Sequence, residues 1–344
     1  MARARPVRFA ILLALALAGR LVAGGSLTML ARAEGPMAGH AQASLPITPL
    51  EPIPTRADNV ALGERLFGDT RLSRGGNLAC ASCHNLSRGG TDGRSRSQGS
   101  FGTHDFNALS VFNVALNHRL NWRGTVRIIE EESEAVITDP GLMGGHWTEI
   151  LKRLAAEESY RTSFGAIYGP QWSKADVLDA LAEFQRSLVT PNSRFDRYLK
   201  GDRAAISSAE ERGFRLFENY GCVACHQGAN VGGNLFQKFG IFAEPFSGRG
   251  AVTEADLGRY TLTGREEDRS VFRVPSLRNV ALTAPYFHDG SVQELDRAVA
   301  IMARTQLGRE LPQGETDLIV QFLGTLTGEY AGVPLERNAR AAPP

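Results

Sequence analysis

Cysteine is scarce in this chain, with four in 344 residues. Four cannot staple a protein of this length, which excludes the disulfide frameworks that hold small secreted domains together. Charge of one sign is lacking too. Thirty-eight basic and 37 acidic side chains leave a formal +1, and no Lys/Arg patch calls for nucleic acid. No strand-like alternation of apolar and polar residues stands out, so the pattern is mainly helical. No apolar run reaches the roughly 20 residues of a membrane span, because Arg20 interrupts the one at the N-terminus.

The cysteines that are present all fall in two copies of one motif, Cys80-Ala81-Ser82-Cys83-His84 and Cys222-Val223-Ala224-Cys225-His226. Each reads CxxCH, the attachment signature of a c-type haem. Two thiols add across the haem vinyl groups, and the following His reaches the iron. A thioredoxin-like pair needs no such His. A zinc site built from two CxxC pairs has them much closer in sequence. The expectation is two covalently bound haems, on Cys80 and Cys83 with His84, and on Cys222 and Cys225 with His226.

The N-terminus reads as an export signal. Arg3, Arg5 and Arg8 precede an apolar run from Phe9 to Ala18, and Ala31-Arg32-Ala33 resembles a cleavage site. The reading is a signal over residues 1–33; uncleaved, it would tether the protein to a membrane. Its removal deletes five arginines and leaves 33 basic against 37 acidic side chains. Because c-type haem is attached outside the bacterial cytoplasm, the expected address is the periplasm.

Residues 34–57 hold Pro46, Pro49, Pro52 and Pro54 and read as an extended arm. A first haem domain is expected over 58–204 and a second over 205–330, followed by a tail over 331–344. LGERLFGDTRLSRGGNLACASCH in the first is echoed by RGFRLFENYGCVACH in the second, a weak internal repeat. One helix is expected from about Trp147 to Tyr160 and another capped by Ser173 with Asp176. Ser207 or Ser208 should cap the helix feeding the second motif. Ser291 with Glu294 reads as a capping box for a helix running through Met302, and Pro312 should stand near the start of a last helix. Residues 85–110 and the stretch from His226 to about residue 270 read as loops.

With FGDTRLS before the first motif, TPNSRFDRYLKGD between the domains and VPSLRNVALTAPYFHDGS near the end, the chain resembles the bacterial dihaem cytochrome c peroxidases and their MauG-type relatives from about Leu62 to Gly328. The resemblance implies two cytochrome c-like domains, each with one covalent haem. The haem of His226 would be the electron-entry site, with Met302 as its second iron ligand, and thioether ligation raises haem potential. MauG-type members resemble a variant with Tyr there, so Met302 favours the peroxidase branch. The haem of His84 would reduce hydrogen peroxide. Trp122 corresponds to the tryptophan between the haems. Asn107, with the carbonyls of Thr283 and Pro285, matches a calcium site at the domain interface. A small cytochrome c or a cupredoxin would donate electrons, and the family tends to form homodimers.

The distal pocket departs from the family. The position of its catalytic glutamate holds Leu142, which can neither take nor give a proton. Glu132, in the run Glu130-Glu131-Glu132, stands where the family has Gln and could supply the carboxylate, although such a run is commonly a solvated helix face. Ser100 falls near the expected distal histidine, and His104 could substitute for it. Phe106 replaces a family arginine. Three readings follow: a periplasmic peroxidase, a MauG-like oxidase that modifies a partner protein, or a non-enzymatic dihaem electron carrier closed by His104.

Overall fold

Apolar residues at helical spacing make helices the main element. The computed structural model describes residues 46–246 and 250–336. Its helices are α1 (Ala57–Phe67), α2 (Cys80–Cys83), α3 (Ile129–Thr138), α4 (Trp147–Ala156), α5 (Glu158–Tyr168), α6 (Lys174–Ser187), α7 (Arg194–Leu199), α8 (Ser208–Asn219), α9 (Tyr260–Thr263), α10 (Leu295–Leu307) and α11 (Gln313–Gly324). Among the described residues the only sheets are three antiparallel ribbons. They are β1 (Gln98–Gly99) with β2 (Gly102–Thr103), β3 (Phe236–Lys238) with β4 (Val271–Arg273), and β5 (Glu329–Tyr330) with β6 (Val333–Pro334). The fold is mainly α, as expected. Residues 1–45, which include the signal-like segment and the start of the arm, lie outside the described residues. Among the described residues no helix is long and apolar enough to cross a membrane.

Apolar side chains gather in two main clusters. In the first, Leu62, Leu66 and Phe67 of α1 meet Leu181 and Phe184 of α6, with Ile137, Ile150 and Phe164 behind them. In the second, Phe214 and Phe217 of α8 meet Ile319, Phe322 and Leu323 of α11, with Phe195 of α7. Each such side chain, fully buried, contributes about 1.5–3 kcal/mol. The repeated stretches put one glycine at the same place in each cluster. A Cβ on Gly63 would lie 1.9 Å from the Ala180 carbonyl oxygen, and one on Gly213 would lie 1.9 Å from that of Leu318. Only glycine lets these helix pairs cross with their backbones in contact.

A second repeat joins the clusters. Asn113-Val114-Ala115-Leu116 and Asn279-Val280-Ala281-Leu282 are identical in sequence, and each forms a short helical turn entered by an asparagine with φ near +60°. Asparagine tolerates that region better than most residues. The chain between them passes Thr190, whose buried hydroxyl both asparagines reach.

The arm is extended from residue 46. Ile47 and Leu50 are buried in the second cluster, and Leu50 N donates to Asp196 Oδ1 at 3.1 Å. Asp196, from the TPNSRFDRY stretch, also pairs with Arg278 at 2.8 Å with both side chains wholly buried. At the other end, Tyr330 and Leu335 return to the first cluster.

The caps at Ser173 and Ser207 form as expected, and Pro312 precedes α11. Two expectations need correction. The helix begun at Trp147 breaks at Glu157, which is extended and sends its carboxylate to Arg71 at 2.8 Å; a new helix starts at Glu158. Ser291 does not cap α10. Its N–H donates to Asp289 Oδ1, and the helix starts at Leu295 behind Glu294.

Candidate active site

The second haem motif is delivered by α8. Cys222, Cys225 and His226 line a cavity of about 420 Å³, and α10 brings Met302 to the same cavity with Leu295, Ala298 and Val299. His226 is buried, and its Nδ1 lies 3.3 Å from the Val231 carbonyl oxygen. A hydrogen bond there holds the proton on Nδ1 and leaves Nε2 free for a metal. Burial pulls its pKa down to about 4, against the pull of the Val231 and Pro275 carbonyls, so the imidazole is neutral. Burial pushes the Cys222 thiol up to about 11. A neutral imidazole, a thioether and two unpaired thiols around an apolar cavity fit a covalently attached haem.

The first motif repeats the arrangement. His84 Nδ1 lies 3.2 Å from the Gly90 carbonyl oxygen, and burial lowers its pKa. Cys80 packs against the first cluster, and burial pushes its thiol up to about 12. Burial likewise raises the Cys83 thiol, with Asp92 adding to the effect. The Leu109 carbonyl also acts on His84, and Leu109 lines the second cavity, so the segment after the first motif reaches both sites.

The ribbon β1–β2 sits against the turn that carries Leu142. Ser100 N donates to the Leu142 carbonyl at 2.7 Å, and a Cβ on Gly99 would lie 1.9 Å from the Gly141 carbonyl oxygen. His104 follows the ribbon. Its Nδ1 accepts from Phe106 N at 3.2 Å. An accepting Nδ1 puts the neutral ring's proton on Nε2, which makes that atom a hydrogen-bond donor rather than a metal ligand. Phe106 packs between His104 and His288, under the Arg123 guanidinium.

The three glutamates of α3 have different surroundings. Glu130 pairs with Arg186 at 2.5 Å, and Glu131 is exposed. Glu132 is half-buried and accepts from Asn121 Nδ2 at 3.0 Å. Burial raises its pKa more than Asn121 and the charge of Arg273 lower it.

Trp122 lines the second cavity and is fixed at both ends. Its indole Nε1 donates to the Asn107 carbonyl at 2.9 Å, and its own carbonyl accepts from Arg273 N at 2.9 Å. Asn107 Nδ2 donates to the Arg94 carbonyl at 2.7 Å, which leaves Oδ1 as the atom for a cation. Asn107, Thr283 and Pro285, the residues expected to hold calcium, all line the same cavity.

Sequence reasoning did not single out His288, although it lies in the quoted PYFHDG stretch. It is buried in the cavity wall. Nε2 lies 2.7 Å from Oδ1 of the fully buried Asp256, the ring stacks on Phe272 at 4.6 Å, and the Trp122 ring is 6.3 Å away. Asn121 and Arg273 were missed as well; the contact between them joins residues 152 apart in sequence.

Comparison with known proteins supports two haem sites. Residues 57–204 match the family model for di-haem cytochrome c peroxidase. The chain is 41% identical over 295 residues to the cytochrome c551 peroxidase of Nitrosomonas europaea, covering 85% of this chain and 87% of that protein. It is 41% identical over 288 residues to the cytochrome c peroxidase Ccp of Escherichia coli, covering 83% of this chain and 62% of that protein. The methylamine utilization protein MauG of Methylorubrum extorquens is 33% identical over 297 residues, with 82% of each chain covered. Among solved structures, a MauG-like protein associated with microbial copper homeostasis superposes with a TM-score of 0.71 at 32% identity, covering 85% of this chain and 96% of that one. The diheme peroxidase BthA of Burkholderia thailandensis superposes with a TM-score of 0.67 at 21% identity, covering 86% and 92%, a likeness of fold. Identity at this level across most of both chains, joined to two CxxCH sites with matching histidine geometry, makes this protein a member of the di-haem cytochrome c peroxidase family.

Proposed function

We infer that the protein reduces hydrogen peroxide to water in the periplasm, taking electrons from a small cytochrome c or a cupredoxin. The observation that carries this reading is the meeting of His226 and Met302 in one apolar cavity. A His/Met pair suits a high-potential electron-entry haem. Trp122, rigidly held in the cavity wall, is suited to pass electrons toward the first site. Calcium at Asn107, Thr283 and Pro285 would brace the same wall.

Peroxide reduction takes up two electrons and two protons and yields two waters. When bound, the haems supply the iron that takes up peroxide and the electrons; the protein must move the protons. Leu142 cannot do so. Glu132 is the candidate in its place, a half-buried carboxyl that burial pushes above the usual carboxylate range. His104, with its proton on Nε2, adds a hydrogen-bond donor.

A MauG-like oxidase is the second reading, favoured by the 33% identity to MauG and by the altered pocket. Met302 weighs against it. Steady-state peroxide consumption by the half-reduced, calcium-loaded holo-protein with a reduced small cytochrome c tests the first reading. Rapid turnover is expected; no turnover, together with oxidation of a partner protein's Trp or Tyr by peroxide, would select the second.

A further inference from the structure

Two arginines in the wall of the second cavity are buried to the same degree, Arg273 and Arg278, each 3% exposed. Their partners differ. Arg278 pairs with Asp196 at 2.8 Å. Arg273 has only neutral acceptors: its Nε donates to the Asn121 carbonyl at 3.0 Å, and its Nη1 donates to Asn117 Oδ1 at 3.2 Å and the Val274 carbonyl at 3.4 Å. Among the described residues no acid lies within ion-pair reach of it, and no Asp or Glu lines the cavity. Glu132, held by Asn121, is the acid whose charge acts on it. Burial lowers the Arg273 pKa only to about 10, so the guanidinium stays charged at neutral pH.

A buried cation without a counter-ion is strongly disfavoured. The cavity therefore has one positive charge to be matched by whatever fills it. A haem brings two carboxylates on its edge, and a guanidinium forks onto a carboxylate through paired N–H groups. We propose that Arg273 is the counter-ion of a haem carboxylate in the second cavity, and that through Asn121 it ties that carboxylate to the hydrogen bond holding Glu132. Arg273 is thus a positioning residue for the haem on His226. The proposal rests on the reading of this cavity as the electron-entry haem site.

A fixed positive charge beside a haem favours the reduced iron, whose net charge is less positive. Wild type, Arg273→Gln and Arg273→Lys holo-proteins should be compared by spectroelectrochemical titration and by resonance Raman spectra of the propionate bending modes. Arg273→Gln is expected to lower the midpoint potential of the haem on His226, shift its propionate mode and leave the haem on His84 little changed. Arg273→Lys is expected to keep most of the wild-type potential. Potentials and propionate modes unchanged in Arg273→Gln would overturn the proposal. So would a Lys variant that loses as much potential as Gln, because charge would then not be what matters. Should the Gln variant take up no haem, the Lys variant alone decides, by retaining or losing the potential. A wild-type haem on His226 without methionine ligation would overturn the electron-entry reading instead, and the charge comparison would still apply to that haem.

Discussion

Asn113 and Asn279 donate to one atom, the hydroxyl oxygen of Thr190, at 2.8 and 3.0 Å. Each asparagine begins an Asn-Val-Ala-Leu turn next to its own haem motif's lobe, so Thr190 pins the two turns together. Thr190→Val should leave both buried amide groups short of a partner, at about 1–3 kcal/mol each. Urea unfolding should show a lower midpoint with an unchanged slope, and electron passage between the haems should slow. Thr190→Ser keeps the hydroxyl and should recover most of both. A Thr190→Val variant as stable as wild type would remove the pinning role.

The paired glycines give a second test, with opposite signs. Gly63→Ala and Gly213→Ala drive a methyl group into the facing backbone and should each destabilise by about 1–3 kcal/mol. Gly165, in α5, has open space and ordinary backbone angles, so Gly165→Ala should stabilise by up to about 1 kcal/mol. Denaturant midpoints of the three variants check the contrast.

An arginine clamp makes part of the stability acid-labile. Burial pushes Asp179 and Glu183 up, but hydrogen bonds from Tyr168 and Arg56 to Asp179, and from Arg56 to Glu183, outweigh it and hold both below the usual carboxylate range. A depressed folded pKa gives stability above the unfolded value, near about 4, that is lost as pH falls through the folded value. Arg56→Ala should therefore be less stable than wild type at neutral pH, and the gap should close toward about pH 3. An equal gap at both pH values would contradict the clamp.

The haem sites were legible in the sequence because their chemistry is local: two thiols and an imidazole at fixed spacing. The arm, the mainly α fold and the Ser173 and Ser207 caps were legible for the same reason. What could not be read depends on partners far along the chain. The break at Glu157 follows from its ion pair with Arg71. Asp256 meets His288, and Arg273 meets Asn117 and Asn121, only after folding. Asn-Val-Ala-Leu was visible twice, but four letters carry little signal until both copies are seen to reach Thr190.

On the proposed function, proton transfer falls to Glu132. Glu132→Gln keeps the size and can still meet Asn121, but it cannot transfer a proton. Turnover should fall by about 10²–10⁴-fold with the fold and both haem spectra intact. Adding Leu142→Glu to that variant should restore a large part of the rate. A Glu132→Gln enzyme at full rate would move proton transfer to another group, with His104 the next to substitute.

The most direct measurement is peroxide turnover by the half-reduced, calcium-loaded holo-protein and its Met302→Leu variant, each supplied with a reduced small cytochrome c. The account predicts rapid consumption by the wild type. It predicts loss of consumption in the variant, with a fall in the potential of the haem on His226 and no change at the haem on His84. A wild type that consumes no peroxide, or a Met302→Leu variant that turns over as fast with its potential unchanged, would contradict it.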